Sequence, residues 1–274
     1  MNALNYYWRL IATGLSFAIF GLGGLALTLL VFPLFLIFPG QGRVLRARRV
    51  IQKSFALFIW FMKSVGIMQF EVVGANRLRD CRNTLILANH PTLIDVVALI
   101  SLMPDATCVV KQALWRNPFL SGVVRAAKYI SNSEPHLLVD DCAAAVAAGT
   151  PLVIFPEGTR TRPGKPLRFL RGASYIALKS RLPILPVLIT CDPSTLSKRE
   201  RWYQIPDRAF HLRVEVREPI DAETWVTGAE SAAIAARRLT QGLETYFSTE
   251  LARHGQTEQS QAGNQASDYR FARP

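Results

Sequence analysis

The chain has 274 residues, 50% of them hydrophobic, and a formal charge of +12 from 32 Lys and Arg against 20 Asp and Glu. That length accommodates one α/β domain with an appendage, and the charge selects anionic partners, nucleic acid or acidic lipid. Its 4 cysteines lack a C-x-x-C pair and its 4 histidines lack H-E-x-x-H spacing, which excludes a zinc ribbon and a disulfide framework and leads us to expect metal-free chemistry in a reducing compartment.

Residues 10–38 carry no charge. As one helix this run would measure about 43 Å, longer than the roughly 30 Å hydrocarbon core of a bilayer. Gly21, Gly23 and Gly24 interrupt its middle and Pro33 its end, so the expected membrane-embedded segment is a tilted span or a broken hairpin dipping into one leaflet. Its length, and the lack of a small-residue cleavage site before Pro39-Gly40, set it apart from a cleaved signal peptide. Arg43, Arg46, Arg48, Arg49 and Lys53 follow it and only Arg9 precedes it, which places the rest of the chain on the cytoplasmic side. Residues 55–62 form an apolar run between Lys53 and Lys63, suited to an interfacial helix with Trp60 near the headgroups or to a core helix.

From residue 69 the pattern alternates. Strands are expected at 70–73, 84–88, 108–111, 129–130, 151–155 and 184–190, and helices from Pro91, around 115–127, at 140–148 and at 172–181. Over 211–217, His211, Arg213, Glu215 and Arg217 alternate with apolar residues, the pattern of a half-exposed edge strand that ends the sheet. Residues 231–251 read as a surface helix, and the polar remainder has no apolar period. The expected organisation is therefore a membrane segment with an interfacial helix over 1–68, a catalytic domain over 69–252 and a disordered polar tail over 253–274. The fold class is α/β, a single mostly parallel or mixed sheet flanked by helices.

Two stretches carry the chemistry. In Asn89-His90-Pro91-Thr92-Leu93-Ile94-Asp95, which follows a strand-like run, Pro91 suits the first position of a helix, so His90 falls near its cap and Asp95 in its second turn. A neutral imidazole can take a proton from a hydroxyl while a carboxylate on its other nitrogen fixes the tautomer and stabilises the imidazolium. The plainer alternative is a capping histidine with an aspartate that favours the helix dipole. The second stretch, Phe155-Pro156-Glu157-Gly158-Thr159-Arg160-Thr161, also follows a strand, so both lie at the carboxyl edge of the sheet, where open α/β folds bind ligands. Gly158 lets backbone amides approach a ligand, and Arg160 can bind an anionic oxygen with paired hydrogen bonds.

Together, His90-x-x-x-x-Asp95 and Phe155-Pro156-Glu157-Gly158-Thr159-Arg160 resemble the glycerolipid acyltransferases, specifically the bacterial 1-acylglycerol-3-phosphate acyltransferase type. The resemblance covers roughly residues 70–190 and includes Leu185-Pro186-Val187, similar to the family's last motif. It implies a glycerol-phosphate-acyltransferase-like fold at a bacterial inner membrane, with the catalytic domain on the cytoplasmic face. The implied reaction transfers a fatty acyl group from acyl carrier protein or coenzyme A to a lysolipid hydroxyl, with no further cofactor, no metal and no nucleic-acid partner. His90 would be the general base and Asp95 its orienter, without an acyl-enzyme. Glu157, Gly158, Thr159 and Arg160 would bind the acceptor, Lys111, Arg168 and Arg171 being weaker candidates.

One departure bears on the acceptor. Where the family's middle motif ends in a phosphate-binding arginine, this chain has Asn132, and an amide gives up roughly 1 to 2 kcal/mol per contact against a guanidinium. Lysophosphatidic acid is the commonest acceptor of the type, but a lyso-aminolipid, a glycolipid or another hydroxylated lipid competes with it here, and Arg125 or Lys128 would be compensating cations. A membrane-tethered binder of anionic lipid or nucleic acid fits the charge without catalysis. No G-x-S-x-G, G-x-x-x-x-G-K-[ST] or strand-following G-x-G-x-x-G occurs to support a hydrolase or a nucleotide cofactor.

Overall fold

The computed structural model describes residues 3–37 and 42–271; Pro39-Gly40 and the last residues of the expected tail lie outside them. β1 (Met68–Val73), β2 (Leu85–Ala88), β3 (Thr107–Val110), β4 (Ile130–Ser131), β5 (Leu152–Ile154), β6 (Ile184–Asp192) and β7 (Phe210–Val216) form one sheet in the order β1-β7-β6-β2-β5-β3-β4. Neighbours run parallel except β6 and β7, which are antiparallel. The central strands are continuous apolar runs because both faces are covered. Ile86, Ala88, Val153, Leu185 and Val187 enter one core and Leu85, Leu87, Leu152, Ile154 and Leu188 the other.

The helices are α1 (Ala3–Ala26), α2 (Leu34–Ile37), α3 (Arg43–Ser64), α4 (Ala75–Asp80), α5 (Asp95–Ser101), α6 (Ala113–Arg116), α7 (Ser121–Ala126), α8 (Pro135–Ala147), α9 (Arg171–Ser180) and α10 (Ala232–Phe271). Apolar residues of α3, α5 and α7 join the first core, and those of α8, α9 and α10 the second. Four strands, β2 to β5, end at the same edge, so the turns after them converge there.

The charged alternation at 211–217 belongs to an interior strand, not an edge: β7 lies between β1 and β6. Its charges are neutralised from neighbouring elements. Arg213 pairs with Glu71 of β1 and with Glu215, and Arg217 with Glu215 and with Glu250 of α10. The helix expected over 231–251 is part of α10, whose backbone runs on through Phe271. That stretch was expected to be structureless for want of an apolar period. Ala, Gln and Glu nevertheless favour a helix, and no proline follows until Pro274.

Residues 3–31 form a helix long and apolar enough to cross a membrane by length and composition, its last turn a π-helical one at Leu27–Val31. The glycines do not break it, and Gly24 permits a close contact. A Cβ on Gly24 would lie 2.5 Å from the Phe119 carbonyl oxygen, and one on Gly122 of α7 would lie 2.2 Å from Thr28. The chain turns at Pro33, and α3 returns along α1, with Phe20 against Phe55 and Phe58 and the Trp8 indole N–H donating to the Val65 carbonyl at 2.9 Å. Arg9 is buried, its guanidinium donating to the carbonyls of Pro206 at 2.8 Å and Asp207 at 2.7 Å. Over residues 55–62, Phe58, Ile59 and Met62 enter the core, as the core-helix alternative expects, while Leu57 and Trp60 face outward.

Candidate active site

The His90 corner opens after β2. Asn89 is buried, its carboxamide donating to the Ile189 carbonyl at 2.8 Å and accepting from the Ile189 N–H at 2.7 Å, which ties the corner to β6. The helix starts at Asp95, not at Pro91. Residues 91–94 form a turn instead, in which the Thr92 N–H donates to Asp95 Oδ2 at 2.8 Å and the Leu93 N–H to the Leu196 carbonyl at 3.2 Å. The turn brings Asp95 back beneath the histidine. Asp95 Oδ2 lies 2.8 Å from His90 Nδ1, with the aspartate fully buried and the imidazole 16% exposed. Burial pushes the Asp95 carboxyl up, and the hydrogen bond and charge of His90 oppose that rise. With Nδ1 engaged, Nε2 is the nitrogen left to exchange a proton with a substrate.

The loop after β5 closes over this corner. The Phe155 ring stacks on His90 at 4.4 Å between centroids, and the Thr161 N–H donates to the His90 carbonyl at 2.9 Å. Gly158 has φ +65, and a Cβ there would lie 2.7 Å from Leu170, so the turn requires glycine. Arg160 Nη1 donates to the carbonyls of Leu196 at 2.6 Å and Ser197 at 3.2 Å, which joins this loop to the one after β6. Glu157 takes a different position: its Oε1 accepts the His90 backbone N–H at 2.7 Å.

A cavity of about 560 Å³ begins at His90 and extends between the sheet and helices α1 and α3. Gly158, Thr159, Arg160, Lys111 and Asn132 line it together with His90, and Phe17, Phe20, Phe55 and Phe58 give it an apolar length. Glu157, Arg168 and Arg171 are not among its lining residues. Nor are Arg125 and Lys128; Arg125 sits over the Trp115 ring at 5.6 Å. The Asn132 side-chain oxygen accepts the Gln112 N–H at 3.1 Å. Among the described residues no group of His, Cys, Asp and Glu is placed to hold a metal. Sequence reasoning missed Asn89, Phe155 and Arg9. A charge at the start of an apolar helix was the available signal for Arg9.

Residues 69–190 match the family model described as Acyltransferase. The chain is similar to human 1-acyl-sn-glycerol-3-phosphate acyltransferase beta, 26% identical over 161 residues that are 55% of this chain and 58% of that protein. It is also similar to the 1-acyl-sn-glycerol-3-phosphate acyltransferase of Cocos nucifera, 30% identical over 148 residues, 52% of this chain and 47% of that one. The chain thus spans about half to three fifths of the length of these curated relatives. In fold it is similar to the crystal structure of the 1-acyl-sn-glycerophosphate (LPA) acyltransferase, PlsC, from Thermotoga maritima, with a TM-score of 0.63, 20% identity and coverage of 91% of this chain and 98% of that one.

Proposed function

We propose that this acyltransferase moves a fatty acyl group from an acyl thioester, carried by acyl carrier protein or coenzyme A, to a lysolipid hydroxyl, foremost that of 1-acyl-glycerol-3-phosphate, giving phosphatidic acid. The observation that carries the reading is the His90–Asp95 pair at the polar end of an apolar cavity lined by Lys111 and Arg160. The names of the relatives favour the same acceptor. His90 Nε2 takes the hydroxyl proton as the oxygen attacks the thioester carbonyl carbon. The tetrahedral intermediate then expels the thiolate, which recovers the proton from His90: a C–O bond forms and a C–S bond breaks. Asp95 keeps the ring oriented and stabilises its transient charge.

The working site is a membrane surface. Leu4, Tyr7, Ile11, Leu15 and Leu22 form an exposed apolar stripe on α1, joined by Leu57 and Trp60 of α3. With basic residues following the apolar run, we place the enzyme on the cytoplasmic face of a bacterial inner membrane, in contact with anionic lipid. Asn132 favours a second acceptor class, phosphate-free lysolipids, because it lines the cavity without a charge.

The test is thioester turnover by detergent-solubilised protein with lysolipids that carry or lack a phosphate. His90→Ala is expected to lower turnover 10²- to 10⁴-fold while the protein stays in the membrane fraction. Wild-type turnover in that variant would sink the reading, and turnover with phosphate-free acceptors alone would select the second class.

A further inference from the structure

Glu157 belongs to the motif through which the family resemblance assigns acceptor binding, yet its surroundings differ from those of its neighbours. Gly158, Thr159 and Arg160 line the cavity and Glu157 does not. Its residue is 7% exposed, its Oε1 accepts the His90 backbone N–H at 2.7 Å, and its Oε2 is buried without a hydrogen-bond partner. Asp95 Oδ1 and Thr92 Oγ1 are likewise buried and unpartnered. His90 is therefore held from two sides by buried carboxyl groups, Asp95 on its ring and Glu157 on its main chain.

We propose that Glu157 is a positioning residue that clamps the His90 main chain from beneath the cavity, and that it makes no contact with the acceptor. The proposal rests on the acyl-transfer reading for its kinetic consequences. A buried carboxyl group with one oxygen unpartnered is costly unless its geometry serves something, and here that geometry fixes the segment that carries the base. The clamp also has an electrical side. Burial pushes Glu157 up to about 7, the bond from the His90 N–H works against that, and the Asp95 charge adds to it. The ionisable groups around the clamp are His90 and Asp95 from the β2 corner, with Arg160 from its own loop acting on Asp95, and Cys191 of β6, whose thiol the Asp95 charge pushes up. Glu157 therefore passes near pH 7 from a neutral acceptor of the His90 N–H to a charged and stronger one.

The experiment compares kcat, acceptor KM and pH profile for wild type, Glu157→Ala and Glu157→Gln. It adds the His90 amide resonance in ¹⁵N-histidine-labelled full-length protein, assigned with His90→Gln. Glu157→Ala is expected to lower kcat 10- to 100-fold with acceptor KM within about twofold, and to shift the His90 amide proton upfield. Glu157→Gln keeps an accepting oxygen that does not titrate, so it should recover kcat to within about fivefold and lose the inflection near pH 7 that Glu157 contributes. A raised acceptor KM with unchanged kcat, or an unmoved His90 amide in Glu157→Ala, overturns the proposal. If wild type turns over no thioester, the acyl-transfer reading fails while the amide resonance still decides the clamp.

Discussion

The two faces of the sheet are built from one set of strands and do different work. On the face covered by α8, α9 and α10, Leu85, Leu152, Ile184, Leu239, Leu243 and Phe247 are almost wholly buried. On the other, α1 and α3 stand off far enough to leave the cavity, and an arginine is buried among the apolar residues of α1. The difference teaches where stability and specificity reside. Filling one face completely lets the other hold open space next to His90, since a void forgoes the packing contacts that would otherwise stabilise it.

Three changes probe that division. The largest effect is expected on the closed face: Phe247→Ala removes a fully buried ring packed on Phe169 and should lower unfolding stability by about 3 to 5 kcal/mol, read as a fall in the denaturant midpoint. Acceptor preference in the folded fraction should stay as it was. If selectivity moved with stability, the faces would not be separable. Arg9→Met comes next. It leaves the Pro206 and Asp207 carbonyls without their donor, at about 1 to 3 kcal/mol, and should expose residues 198–208 to trypsin while the rest of the domain resists. Protection equal to wild type would mean that Arg9 does not hold this loop. The smallest change is Asn132→Arg, which puts a guanidinium into the cavity wall and should shift the preference for phosphate-bearing acceptors by about tenfold, roughly 1 to 2 kcal/mol, with midpoint unchanged. An unshifted ratio would assign phosphate recognition to Lys111 and Arg160 alone.

The central strands and the edge they share are legible in the sequence. β2 and β5 are short apolar runs that stop at the two motifs, so the shared edge follows from their length and pattern. The bond between His90 and Asp95 could be anticipated, but not the route to it, because a proline before a helix fits its first turn as well as the turn seen at residues 91–94. The position of β7 was hidden for another reason. Its charges are balanced by Glu71 and by Glu250, distant in sequence, and a local alternation cannot distinguish a neutralised charge from a solvated one. The glycines of α1 misled in the same way. The meaning of Gly24 lies in the backbone at Phe119, which hydropathy does not see.

Asn89 has a consequence for how the base is held. Its carboxamide both gives and receives a hydrogen bond with Ile189, as one more peptide unit of β2 would. The backbone itself is then released from the ladder one residue early and is free to turn. A side chain has completed the rung, so the histidine leaves the strand at an angle yet inherits the rigidity of the sheet's centre. The choice of amide over acid follows from its neighbours. Asp95 and Glu157 are already buried close by, and a third carboxyl group would have only the donor of Ile189 and none of its own to offer. Neutrality at position 89 avoids a third charge where two acids already hold a single histidine, one by its ring and one by its main chain.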